Sequence, residues 1–365
     1  MTAVFDENPA VIDRRYKPRA GLSTTTCPPK AFRRAKLKDQ RMKTLRLLAL
    51  TSLSVLLAAP GSATTIASRF STDPLLNGWQ SSGGTNLFRW NQANENLAVT
   101  WDSSQTNSYF YHLLDRAYGK NDDFLIMFDL RLNDITVGTT PGKALTFEIA
   151  LGLINTTNAT GAGFIRGAGT APNLVEFTYF PDDTNQFGAT VSTLLISSEN
   201  NFSSGGFTVP LELATNTLYH VVMLYTATNR TLHTAMTANG VPFGLVQDAY
   251  LGSSFDDFQV NAISINSYSD AGQFPGYGGS VLAHGTVDDF AFASPPPVTS
   301  IEAVAPGTIQ FAATTNWLYT LQRTTDFQSW TNVLTTTADS TSELIMQDTN
   351  APAVNASYRV IANLP

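Results

Sequence analysis

Thr217 to Gly240 constrains the fold of this chain more than any other stretch. Tyr219, Val221, Met223 and Tyr225 alternate on one face, as a half-buried strand requires. The opposite face, Leu218, His220, Val222 and Leu224, is also mostly apolar. A strand apolar on both sides lies inside a sandwich or beneath covering segments. Ala227-Thr228-Asn229-Arg230 supplies a polar turn, Leu232 to Met236 begins a return strand, and Asn239-Gly240 is a second turn signal.

The same alternation recurs along the chain. Phe124, Ile126, Phe128 and Leu130 face one way; Phe147, Ile149, Leu151 and Leu153 repeat the pattern. Val175–Phe180, Ala189–Ser197, Phe207–Leu213 and Phe258–Ser267 are further strands, and Thr286–Ala293 closes the series. Ala159–Pro172, rich in Gly, Ala and Thr, reads as a mobile loop. Short strands without helical connectors predict an all-β, antiparallel jelly-roll sandwich over residues 64–294. The triple proline Pro295-Pro296-Pro297 cannot join a ladder and predicts a linker at 295–298. Residues 299–365 then form a small C-terminal β-sandwich, with Tyr319, Leu321, Trp330, Val333, Tyr358 and Val360 as its core.

Residues 1–63 have a different character. Met42-Lys43-Thr44-Leu45-Arg46 and the apolar run Leu47–Ala59 have the form of a secretory signal peptide, with Gly61-Ser62-Ala63 as the cleavage site and Met42 as the working start. The run is shorter than the roughly 20 residues a bilayer span needs, and no other spanning segment follows. The expected location is therefore secreted or cell-surface. The only cysteine, Cys27, lies in this leader, which leaves the body without disulfide, thiol nucleophile or zinc–thiolate site. The chain holds 22 Lys+Arg and 29 Asp+Glu, and 12 and 4 of these fall in residues 1–63; the remainder holds 10 and 25, a net charge of −15. So acidic a body argues against nucleic acid as a partner, since phosphate contacts need Lys and Arg.

Leu218-Tyr219-His220-Val221, with Tyr225, Leu232 and Asn239-Gly240, resembles the central strands of laminin G-like domains of the concanavalin A-like lectin/glucanase superfamily. Gly285-Thr286-Val287-Asp288-Asp289-Phe290-Ala291-Phe292 looks like the last strand of that fold. Tyr319-Thr320-Leu321-Gln322-Arg323 and Ser357-Tyr358-Arg359-Val360 are similar to a C-terminal β-sandwich module of exported bacterial proteins. The fold hosts lectins, glycosidases, lyases and adhesion modules, so it does not fix function.

Glucanases of this fold place carboxylates as Glu-x-Asp-x-Glu on one strand, and that motif is absent. Glu148 and Glu176 each stand alone and read as solvent-facing strand positions. His220 reads as a sheet residue and His112, after the aromatic cluster Tyr109-Phe110-Tyr111, as a ligand candidate. A sugar face packs on an aromatic ring, so Trp79, Trp90, Tyr109, Tyr111 and Tyr277 are the candidate platforms. Calcium takes six to eight oxygens, and Asp182-Asp183 and Asp288-Asp289 are the candidate Ca2+ ligands. These features predict an exported, non-catalytic protein that binds glycan or a cell-surface polymer. A polysaccharide-degrading enzyme and a purely structural surface protein are the alternatives.

Overall fold

A computed structural model describes residues 2–3, 64–181, 188–207, 209–274, 278–294, 296, 301–315, 317–327, 329–338, 342–352 and 356–363. The signal-peptide segment lies outside the described residues, as does all of the 295–298 linker except Pro296.

Two antiparallel sheets form the first unit. The seven-stranded sheet runs Phe202–Ser204, Thr190–Ile196, Leu174–Phe180, Ile149–Ile154, Val260–Ser267, Ser108–Tyr118, Trp79–Ser82. The nine-stranded sheet runs Val241–Pro242, Thr231–Ala238, Leu218–Thr226, Phe124–Val137, Val281–Ser294, Asn96–Asp102, Phe88–Asn91, with Ala249–Tyr250 and Thr64–Ser68 paired beside this path. Each sheet combines hairpin neighbours, such as Ile149–Ile154 with Leu174–Phe180 and Leu218–Thr226 with Thr231–Ala238, with distant pairings, such as Ile149–Ile154 with Val260–Ser267 and Phe124–Val137 with Val281–Ser294, as in an antiparallel sandwich of the expected kind. Their facing sides share one core, in which Phe128 of one sheet meets Phe177 of the other edge-on at 5.6 Å. Trp79 stacks on Phe110 at 5.1 Å and meets Phe290 at 5.9 Å.

The opening hairpin is present as expected. Leu218–Thr226 pairs with Thr231–Ala238 on one side and Phe124–Val137 on the other, so it is an interior strand. Its Tyr219, Val221, Met223 and Tyr225 enter the shared core.

Its other face meets the C-terminal segment. That segment forms a three-stranded sheet, Glu302–Ala305, Thr308–Ala313 and Ser342–Gln347, and a four-stranded one containing Thr331–Thr337, Leu318–Thr324 and Ser357–Asn363. Leu125, Met127, Val222, Leu224, Ala291 and Ala293, on the outer side of the nine-stranded sheet, join one apolar cluster with Phe311, Trp317, Tyr319, Leu321 and Val360. Trp317 is fully buried, and its indole N–H donates to Thr65 Oγ1 at 3.4 Å. Full burial of such side chains contributes about 1.5–3 kcal/mol each. The second apolar face of the central strands is therefore a seat for the C-terminal sheets rather than an open groove.

Residues 159–172 differ from expectation. Asn155 Oδ1 accepts from Asn158 N at 3.2 Å and starts a one-turn helix, Thr156–Ala159. A 3-10 turn follows at Arg166–Ala168. Ala159, Phe164 and Ala171 are buried. Phe164 stacks on Tyr268 at 5.9 Å and meets Tyr109 edge-on at 6.4 Å. The segment packs over the outer face of the seven-stranded sheet; its sparse apolar residues are spaced for anchoring, which its Gly/Ala/Thr composition hides.

Candidate functional site

The outer face of the seven-stranded sheet is where buried charge collects. In Leu174–Phe180, Val175, Phe177 and Tyr179 point to the core, so period-2 alternation sends Glu176 and Thr178 outward. Glu176 lies opposite Gly152 on one neighbour and Leu194 on the other, and Asn266 lies opposite Ala150 and Tyr109. The small residues Ala150 and Gly152 leave room above the sheet beside Glu176. Arg166 fills that room from the covering segment.

Arg166 joins two carboxylates. Its Nε lies 3.0 Å from Glu148 Oε1 and its Nη2 lies 3.2 Å from Glu176 Oε2. Asn266 Nδ2 donates to Glu176 Oε1 at 2.8 Å, and the Tyr268 hydroxyl donates to the same oxygen. The Tyr109 hydroxyl donates to the Ala159 carbonyl at 2.8 Å, which ties the covering segment to the sheet. Glu148 and Glu176 are 3% and 0% exposed, which corrects their reading as solvent-facing positions. A covering loop from elsewhere in the chain removes both from water.

Burial pushes the Glu148 carboxyl up to about 7; Arg166 opposes this and Glu176 reinforces it. Burial works against the Arg166 charge, but the two carboxylates more than offset that and hold it protonated. Burial, with Glu176 adding to it, raises the Tyr268 and Tyr109 hydroxyls. Among the described residues Glu148 Oε1 has the Arg166 ion pair but no aligned hydrogen bond. Glu176, by contrast, has both oxygens engaged.

A cavity of about 220 Å3 opens beside this cluster. Glu148 and Arg166 form its buried polar end, while Leu194, Phe180, Phe202 and Phe207 supply apolar walls. Phe180 and Phe207 pack edge-on at 5.5 Å, and Phe202 is 53% exposed at the mouth. A Cβ on Gly167 would run into the Gln273 side chain, so the approach of these two loops around the cavity requires glycine there.

The sequence-predicted platforms are dispersed. Trp79 is 2% exposed and Tyr109 1%, so both are interior rather than open to a ligand, a correction to their role as platforms. Trp79 packs inward on Phe110 and Phe290, and Tyr109 lies beneath Phe164 of the covering segment. Trp90 is half-buried, with its indole N–H on the Phe70 carbonyl at 2.8 Å. Tyr111 is half-buried and donates to Gln80 Oε1 at 3.2 Å. His112 packs edge-on against Trp79 at 5.9 Å, and its Nδ1 lies 2.8 Å from the Leu113 carbonyl oxygen. Tyr277, Asp182 and Asp183 lie outside the described residues. Phe202, Phe207 and Arg166 were not singled out from sequence. Arg166 carried one signal: it is the only charged residue between Asn155 and Val175.

A second polar cluster sits on the outer side of the nine-stranded sheet. His220, a sheet residue as expected, is buried with Nδ1 2.9 Å from Asp129 Oδ1. Asp288 lies opposite Asp129, accepts from the Asp289 amide at 2.7 Å, and Asp289 lies 3.6 Å from Arg69. Burial, with Asp289, Asp129 and Glu95 nearby, pushes Asp288 up to about 7 against the opposing amide bond. Among the described residues no three His, Cys, Asp or Glu side chains converge as a metal site.

Asp288 gives a pH prediction. Its folded pKa stands above its ordinary value of 3.8, so between 3.8 and about 7 the folded state holds a proton that the unfolded state has lost. That contribution is complete at acid pH and is lost as pH rises toward 7. Asp288→Asn should therefore gain stability relative to the parent chain between pH 4 and pH 8, read by urea denaturation at both. An unchanged difference between the two pH values would refute the assignment.

No protein-family model matches the chain, and no curated protein matches it. Solved structures similar to it include a peanut lectin with a 9-residue peptide (14% identity, TM-score 0.38, covering 63% of this chain and 98% of that one). Others are a Lotus tetragonolobus seed lectin (9%, 0.38, 64% and 97%) and the lectin UEA-II complexed with galactose (14%, 0.41, 65% and 100%). At such identities the chemistry of the site has to be read from this chain's own residues. Among the described residues no helix is long and apolar enough to cross a membrane.

Proposed function

We propose that this chain is an exported binding protein that takes neutral carbohydrate in the cavity beside Arg166. One observation carries the reading: a buried carboxyl–guanidinium pair, Glu148 and Arg166, shares a 220 Å3 cavity with an aromatic ring, Phe202, exposed at its mouth. Sugars present hydroxyls that both donate and accept, and a C–H face that packs on rings. The Glu148 carboxyl borders the cavity as a hydrogen-bond acceptor, although its Oε1 is itself buried against Arg166, and Phe202 is available for the ring face. The acidic body supports a neutral rather than a phosphate-bearing ligand.

Hydrolysis is the second reading, favoured by two carboxylates on one guanidinium with Glu148 able to hold a proton near neutral pH. Glycosidases need both carboxyls to reach the scissile bond. Glu176 is fully buried and its oxygens are occupied by Asn266, Tyr268 and Arg166, which supports binding over catalysis.

A glycan array probed with the full chain, with and without Ca2+, tests the proposal. Binding to a neutral glycan is expected, and Phe202→Ala should weaken it on the order of tenfold, the loss of about 1.4 kcal/mol. A blank array overturns binding, and release of reducing ends from a polysaccharide panel overturns its non-catalytic character.

A further inference from the structure

A second cavity, of about 390 Å3, lies on the other side of Leu145 and Gln273. These two residues line both spaces, so they form a shared wall. That wall is pinned by backbone and amide hydrogen bonds. Gln273 Nε2 donates to the Gly279 carbonyl at 3.1 Å, and the Gly279 amide donates back to Gln273 Oε1 at 2.9 Å. The Leu145 amide donates to the Gly278 carbonyl at 3.2 Å, and the Ser280 amide donates to the Leu145 carbonyl at 2.8 Å. The Gln273 amide is therefore occupied on both sides, and the residue acts as a rigid divider rather than as a ligand contact.

Each cavity has one exposed aromatic ring. Phe202 lines the first and Phe274 the second, and each is 53% exposed. Lys143, the cation of the second cavity, is paired with Asp270 at 3.0 Å, so that cavity offers no spare charge for an anion. Small-molecule sites measure about 300–1,000 Å3; the first cavity, at 220 Å3, falls below that range, while the second, at 390 Å3, falls within it alone as well as together with the first.

We infer that the two cavities are adjoining subsites of one site, and that its ligand is a neutral oligosaccharide whose glycosidic linkage crosses the wall made by Leu145 and Gln273. This rests on the carbohydrate-binding reading and adds the length of the ligand to it. Phe202 stands on the edge strand Phe202–Ser204 and Phe274 directly follows Gln273 of the divider, so two rings held by the scaffold are preorganised for two sugar units and the ordering cost is borne once for both contacts.

Glucose-, galactose-, mannose- and xylose-based ladders of one to six units, titrated calorimetrically into the full chain, provide the test. In the ladder that binds, affinity should rise at least tenfold from the monosaccharide to the di- or trisaccharide. Phe274→Ala should abolish that rise and leave monosaccharide affinity within twofold, because Phe274 is a half-exposed loop residue outside the first cavity. Circular dichroism on the variant checks that it folds. Equal affinity at every length, or a Phe274→Ala loss that is the same at every length, overturns the two-subsite inference and leaves carbohydrate binding standing. Absence of binding in every ladder overturns both.

Discussion

Arg166→Met should cost about 3–5 kcal/mol of stability at pH 8, because it leaves two buried carboxylates without their cation. Glu148 and Glu176 both contact the guanidinium, within 3.0 and 3.2 Å, and both are nearly or fully buried. The cost should shrink as pH falls. Without Arg166 the one influence holding the Glu148 pKa down is gone, so a protonated Glu148 relieves the repulsion at acid pH. Adding Glu148→Gln to Arg166→Met should recover much of the loss at pH 8. Urea denaturation at pH 5 and pH 8 reads all of this. An Arg166→Met midpoint equal to that of the parent at pH 8 would show that the cluster is not stabilising.

Leu224→Asp should detach the C-terminal sheets from the first unit. Leu224 is buried in the cluster shared with Phe311, Trp317 and Tyr319. The change removes about 1.5–3 kcal/mol of apolar burial and places an unpaired carboxylate where the two surfaces meet, at a further cost of several kcal/mol. Because the seat lies outside the core between the two large sheets, the first unit should stay folded. The expected result is a larger radius of gyration in solution scattering and faster proteolysis between residues 294 and 301. The half-exposed Leu113, changed to Asp, should do neither. If Leu224→Asp leaves both measurements at parental values, the contact is not what holds the C-terminal sheets.

Much of the sandwich was legible because alternation is local. Tyr219, Val221, Met223 and Tyr225 declare their face within nine residues, and so do Phe124, Ile126 and Phe128. Apolarity on both faces of Leu218–Thr226 declared that something covers the second face. It left open what, since Trp317 and Phe311 stand some ninety residues away. The candidate site was harder to read for the same reason. Glu148, Arg166 and Glu176 come from the approach to one strand, a covering loop and the middle of another strand. No spacing rule joins them. The aromatic platforms misled because ring type says nothing of which side is covered: Tyr109 points away from the shared core and is still buried, under Phe164 and Ala159.

The pairing of Thr64–Ser68 with Val281–Ser294 has a mechanical consequence. Thr64 lies directly opposite Ser294, so the first unit begins and ends at the same end of one antiparallel ladder. Tension applied across those two ends would load the ladder one hydrogen bond at a time, as a zipper, rather than all its bonds together in shear. The seated C-terminal sheets, with Trp317 reaching Thr65, lie across the tooth that would open first. If the chain is held at one end and pulled at the other, the docked module acts as a clasp, and the force at which the sandwich opens is set by that contact before any strand of the large sheets is strained.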